Sequence, residues 1–328
     1  MQRSEARWQP RRIALFLGLL ALLYGVLFVA ADQILRAKSA RNPFHRIAMA
    51  PAEVDWIVLG ASHALPLSMG DMPKVIAART GADMLSLALT GGGPFTARLI
   101  ADRFFADHRA SGVLVVVDRF TFLDERWNAG RIDDADVLPK IPADRRTLAA
   151  FMRAVPHGLP TGALAAYATG FARINDHDRL KRDVWEAEAR FDTSPRPSPA
   201  ADAARLDYLY PGPPDETARA AALAEFEGLV DLARTNGAQV VLVCPPLPDR
   251  FRARLPATPE LDAALIDIVA RHDLTFVDFE AAVPEPASYF DTDHLNRNGV
   301  GQWLDAGLAA LLAGTGAARA PGFKARRR

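Results

Sequence analysis

The chain has a single cysteine, Cys244, among 328 residues, and its 39 basic side chains are matched by 39 acidic ones. One thiol rules out an intrachain disulfide framework and a zinc site assembled from several thiolates. Zero formal charge lacks the basic surplus with which nucleic-acid binders meet phosphate, so no nucleic-acid partner is expected. His45, His108, His157, His177 and His272 are scattered without ligand spacing and read as surface residues; no metal and no cofactor is implied. Apolar residues, by contrast, make up 50% of the chain. That is too many for a disordered protein and, over this length, enough for a substantial core. Cys244 closes an apolar run before two prolines and reads as a buried thiol.

Charge is also missing from residues 13–31, IALFLGLLALLYGVLFVAA, a run of 19 residues closed by Asp32. About 20 apolar residues span the hydrocarbon core of a bilayer. Arg3, Arg7, Arg11 and Arg12 precede the run against Glu5 alone. The positive-inside bias therefore predicts a cytoplasmic segment 1–12, a single-pass signal-anchor in the inner membrane at 13–31, and an extracytoplasmic remainder. Val29-Ala30-Ala31 also resembles a cleavage site, but the run exceeds the roughly 7–15 apolar residues of a signal peptide, which leaves cleavage as the alternative. Residues 32–52 read as a polar stalk. Residues 315–328, ending KARRR, read as a solvated basic tail, with contact to anionic lipid or wall polymer as the alternative.

From 53 to 314 short apolar runs alternate with amphipathic stretches. Strands are predicted at 56–59, 84–89, 113–117, 239–244 and 274–278, near-continuous runs of the kind covered on both faces. Helices are predicted at 73–80, 95–108, 217–235, 259–272 and 298–313, the third ending at Asn236-Gly237. This alternation predicts a three-layer α/β/α domain around a parallel sheet. Residues 120–215 interrupt it with helical patterns near 147–155 and 164–180 and with proline-rich stretches at 193–199 and 210–216. They read as an insertion covering one end of the sheet. Its Trp127, Trp185, Tyr208 and Tyr210 are expected to pack that cap, with stacking on sugar rings as the alternative. Arg119 and Arg126 read as solvated.

Two segments carry chemistry. In VLGASHALPLSMG, 58–70, Ser62 follows a strand end and a glycine, which exposes its hydroxyl at the carboxyl edge of a parallel sheet, where α/β proteins place ligands. Helix capping is its bland role. His63, next door, cannot easily share that face and reads as a loop or pocket residue. In YFDTDHLNRNGVGQW, 289–303, Asp291 and His294 stand three apart. On a helical turn they would share a face, the carboxylate holding Nδ1 and leaving Nε2 for a nucleophile. Asp293 reads as a cap for the helix near Asn298.

In order and spacing these blocks resemble the SGNH (GDSL-like) hydrolase superfamily, over roughly 54–118 and 238–313. The family's G-D-S is Gly60-Ala61-Ser62 here. The resemblance implies an SGNH-like fold with Ser62 as nucleophile, His294 as base and Asp291 as its partner. It also implies an oxyanion-hole amide from Gly91-Gly92-Gly93, for which a flexible turn is the plain alternative. Where the family has G-x-N-D, this chain has Val117-Asp118-Arg119-Phe120. Asp118 could bind substrate hydroxyls or pair with Arg119; the missing donor is either given up or supplied by Asn128. The G-x-S-H and D-x-D-H-L-N-x-x-G blocks behind an anchor are similar to the periplasmic SGNH-like proteins of cell-surface polymer acylation, the relatives of DltD and of the alginate-acetylation proteins. That likeness implies a serine esterase or O-acyltransferase acting on an acylated glycan or cell-wall polymer beside a multi-pass membrane acyltransferase. The alternative is an inactive scaffold or glycan-binding subunit of a cell-envelope acylation or export complex.

Overall fold

The computed structural model describes residues 10–181 and 186–314; Arg3, Glu5, Arg7, Trp185 and the basic tail lie outside the described residues. Five strands, β1 (Glu53–Gly60), β2 (Met84–Ser86), β3 (Arg109–Val116), β4 (Gln239–Cys244) and β5 (Thr275–Asp278), form one parallel sheet in the order β2-β1-β3-β4-β5. β2 is shorter than its apolar run, although Leu87 and Leu89 still donate to the Val58 and Gly60 carbonyls beyond its end.

Alternation along the strands divides the core in two. Ile57, Leu59, Val113, Val115, Val240 and Leu242 face one layer, formed by α2 (Pro43–Met49), α4 (Pro94–Phe105), α9 (Glu216–Thr235) and α10 (Pro259–Arg271). Trp56, Val58, Leu114, Val116, Val241 and Val243 face the other, formed by α3 (Met72–Thr80), α11 (Arg297–Trp303) and α12 (Ala309–Ala313). Each such Leu, Ile or Val contributes about 1.5–3 kcal/mol by leaving water, so a register slip of one residue would be prohibitive.

α1 (Pro10–Arg36) is the one helix among the described residues long and apolar enough to cross a membrane, with a mean hydropathy of 2.7. The expected stalk is different in kind: after α1, Asn42 caps α2, and Phe44 and Ile47 are buried in the main core. Within the insertion, α5 (Arg145–Ala154), α6 (Thr161–Thr169), the single turn α7 (Phe171–Ile174) and α8 (Pro199–Leu209) appear. Its first half is not a loose cover, because Ile132, Ile141, Ala150 and Phe151 join the α4 side of the core. The predicted helix over 298–313 is broken: Gly307, at φ 134°, opens a wide turn between α11 and α12.

Strand order reverses between β1 and β3, since the chain leaves β1 for β2 on one side and returns to β3 on the other. The loops after those strands diverge and leave a crevice at the carboxyl edge. Ser62 follows β1, Asp118 follows β3, and His294 lies beyond β5.

Candidate active site

Gly60 ends β1 at φ 142°, and a Cβ there would press on the Val116 carbonyl of β3. This close approach turns the chain sharply, and Ser62 opens a 3-10 helix, Ser62–Ser68. Ser62 is 8% exposed, and its Oγ lies 2.8 Å from His294 Nε2. His294 Nδ1 lies 2.9 Å from Asp291 Oδ2. Because the carboxylate faces Nδ1, the proton belongs there; Nε2 then accepts from the Ser62 hydroxyl, with Arg205 Nη2 a second donor at 3.5 Å.

The Asp291–His294 closeness does not come from a helical turn. Asp291 Oδ1 accepts from the amides of Asp293 (3.1 Å) and His294 (2.9 Å), which folds an Asx turn between Phe290 and Leu295. Phe290 stacks on the His294 ring at 5.6 Å. Nor does Asp293 cap a helix: that role falls to Asn296, whose Oδ1 accepts from Gly299, while its Nδ2 ties Thr193 and Ala287 to the turn.

Asp293 instead belongs to a buried chain of charges. His63 Nδ1 meets Asp118 Oδ1 at 2.5 Å and His63 Nε2 meets Asp293 Oδ2 at 3.1 Å, so both ring nitrogens must donate and the ring is an imidazolium. Arg205 of α8 donates its Nε to that same Asp293 Oδ2 at 2.9 Å and lies 3.2 Å from Oδ1. Two cations thus neutralise two anions, all but Arg205 at least 95% buried. Burial by itself would lower the His63 pKa, but the Asp118 and Asp293 carboxylates outweigh it and hold it at about 10. Burial would likewise raise Asp293, yet His294, His63 and Arg205 hold it far below the usual carboxylate range. For Asp291, burial is outweighed by the His294 ring, and its pKa is lowered. His63 stacks on His294 with centroids 4.8 Å apart. The neighbour that sequence reading set aside is therefore packed directly against the imidazole facing Ser62.

Several expected donors are employed elsewhere. Gly92 donates its amide to Leu89 (2.7 Å) and Gly93 to Trp127 (2.6 Å), so neither is free for an oxyanion. Asn128 does not reach toward Ser62: its Oδ1 accepts from Phe95 and its Nδ2 donates to the Thr121 and Asp124 carbonyls. The amides of Ser62 and Gly91 donate to no protein acceptor among the described residues. Asp118 pairs with His63 and not with Arg119, which binds Asp262 and Glu280. Arg126 is not simply solvated either; it lies over the rings of Trp127 and Tyr208. His108 is buried beside Asp107 and stacked on Phe104.

His63, Asp293 and His294 each place a donor atom within 4.8 Å of the others, close enough for a divalent cation. Every one of those nitrogens already faces a carboxylate or the Ser62 hydroxyl, so the hydrogen-bonded chain accounts for the whole cluster. Cys244, Asp278 and Glu280 form a second such group, but burial pushes the Cys244 thiol up to about 12, away from the thiolate that binds metals. Thr90, Gly91, Arg126, Trp127, Arg131 and Tyr208 line a cavity of about 520 Å³. Ala61 and Trp127 belong to one apolar cluster with Phe120, Leu209, Leu247 and Phe251.

Sequence reasoning missed the roles of His63, Asp293 and Arg205. The repeated aspartate of D-x-D-H was the only local signal; Arg205 lies 88 residues from Asp293 and had none.

No protein-family model and no curated protein sequence matches the chain. Among solved structures, the chain is similar to a candidate acylhydrolase from Bacteroides fragilis, with 9% identity and a TM-score of 0.41 over 82% of this chain and 94% of that one. It is similar also to a GDSL-like lipase from Bacteroides thetaiotaomicron, with 9% identity and a TM-score of 0.40 over 83% and 95% of the two chains.

Proposed function

We propose that this protein is a membrane-anchored serine esterase or O-acyltransferase of the SGNH type, acting on acyl groups of a cell-surface glycan. The observation that carries the reading is the unbroken chain Ser62 Oγ, His294 Nε2, His294 Nδ1, Asp291, with steps of 2.8 and 2.9 Å. Ser62 attacks the acyl carbonyl while His294 takes its proton; the C–O bond to the leaving alcohol breaks as His294 returns that proton. Asp291 holds the ring in the required tautomer. The acyl-enzyme is then attacked by water, for hydrolysis, or by a glycan hydroxyl, for transfer. The Ser62 and Gly91 amides receive the oxyanion. The cavity lined by Arg126, Arg131 and the exposed Tyr208 offers charged and polar groups of the kind that hydrogen-bond sugar hydroxyls. His63 acts through its neighbours: its charge pairs with the Asp118 and Asp293 side chains, and Asp293 with Arg205 clamps α8 over the D-x-D-H turn.

Retention of the anchor is supported by Phe28, which lies under the guanidinium of the buried Arg173, itself paired with Asp32 at 3.3 Å. Cleavage after Ala31 would remove Phe28. The inactive-scaffold reading is favoured by one observation, the absence of a side-chain amide at Asp118, where a lost donor typically costs ~10²–10³ in rate. A fluorophosphonate probe separates the two. Labelling that is lost in Ser62→Ala supports the enzyme; a wild-type protein that neither labels nor hydrolyses p-nitrophenyl acetate supports the scaffold.

A further inference from the structure

The apolar run of α1 leaves little freedom in height. At 1.5 Å per residue its 19 residues span about 28 Å, almost the whole ~30 Å hydrocarbon core. If α1 crosses the bilayer, Ala31 therefore marks the outer edge of that core. Two α1 residues below this level touch the insertion. Tyr24, about 10 Å inward of Ala31 along the axis, donates its hydroxyl to the Thr169 carbonyl at 3.1 Å. Phe28, about 4–5 Å inward, packs against Gly170, which holds φ 77° and has no room for a Cβ. Arg173 and Asp32 close the junction at the boundary. Between these contacts Phe171 turns its ring outward and is 58% exposed.

We infer that the α6–α7 corner, residues 168–171, dips into the outer leaflet about 5–10 Å below the headgroup–acyl boundary, with Phe171 embedded in lipid. This rests on the reading of α1 as a membrane span. A phenylalanine side chain is favourable within the hydrocarbon region, and the Tyr24 hydroxyl has the internal partner that hydrocarbon demands. The domain is then seated on the bilayer by two points, α1 and the corner, which sets the height and tilt of the Ser62 crevice above the lipid.

The test uses the full chain reconstituted in phosphatidylcholine–phosphatidylglycerol vesicles, with an NBD fluorophore on single introduced cysteines. Phe171→Cys reports the corner, Leu20→Cys the middle of α1, and Ile266→Cys an exposed position on α10. Cys244 is left in place, because its buried thiol, pushed up to about 12, stays unlabelled at neutral pH. Brominated-lipid quenching at Phe171→Cys at least twofold above that at Ile266→Cys, with blue-shifted emission, is the expected result. A label at 171 as accessible to aqueous iodide as that at 266, with Leu20→Cys quenched by lipid, overturns the seating and leaves the anchor standing. Shielding from both quenchers, meaning a second copy covers the corner, overturns it too. An aqueous Leu20→Cys removes the anchor and the inference together. Ala168→Cys, exposed on the same corner, gives the same readout should Phe171→Cys misfold.

Discussion

Replacing His63 by glutamine tests whether an imidazolium is buried beside the proposed base. Glutamine can donate to one of the two carboxylates but carries no charge, so Asp118 loses its cation while Asp293 keeps Arg205. A group whose folded pKa lies above its unfolded value adds stability that is complete below the unfolded value and is lost as pH rises through the folded one. For His63 that window runs from 6.5 to about 10. At 1.36 kcal/mol per pH unit the full displacement is worth roughly 5 kcal/mol, in line with about 3–5 kcal/mol for breaking a buried ion pair from one side. About 3 kcal/mol of it disappears between pH 6.5 and 9 by the same relation. Thermal unfolding of the full chain in detergent micelles reads this directly. At about 2–4 °C per kcal/mol for a domain of this size, His63→Gln is expected to melt on the order of 10 °C below the wild type at pH 6. The gap should shrink by more than half at pH 9. Asp291 and Asp293 have lowered pKa values and stay ionised throughout, so they add no slope in this range. A gap under 2 °C at pH 6, or one that does not change with pH, would refute the buried imidazolium.

Other consequences are as direct. Ser62→Ala should abolish probe labelling, and His294→Gln and Asp291→Asn should each lower acyl-ester turnover by ~10³–10⁴ with the melting temperature nearly unchanged; activity within tenfold of wild type in either would remove the triad. Asn128→Ala should cost about 1–3 kcal/mol of stability, because it orphans the buried Phe95 amide, while kcat falls less than threefold; a hundredfold fall in kcat with intact stability would restore Asn128 to the oxyanion hole. Gly299→Ala should destabilise by more than ~2 kcal/mol, since a Cβ there overlaps the Ser288 carbonyl; an unchanged urea midpoint would show that the D-x-D-H turn can shift.

Much of this molecule follows from local pattern. The run 239–244 becomes β4 with the same ends, and 217–235 becomes α9 with one residue added, because strand and helix periods are written in neighbouring side chains. The Ser62 and His294 blocks were visible for the same reason: a serine after strand and glycine, and an aspartate three residues before a histidine, are local signals. Whether they meet is a property of the sheet, whose reversal between β1 and β3 opens the crevice where residues 232 apart come within 2.8 Å. The state of His63 was equally out of reach, because its charge depends on Asp118 and Asp293, 55 and 230 residues away, and on burial that only the packed domain provides. Periodicity is a property of the chain and can be read from it. Electrostatics in a buried site depends on distances of a few ångströms between distant segments, and those exist only once the layers have closed.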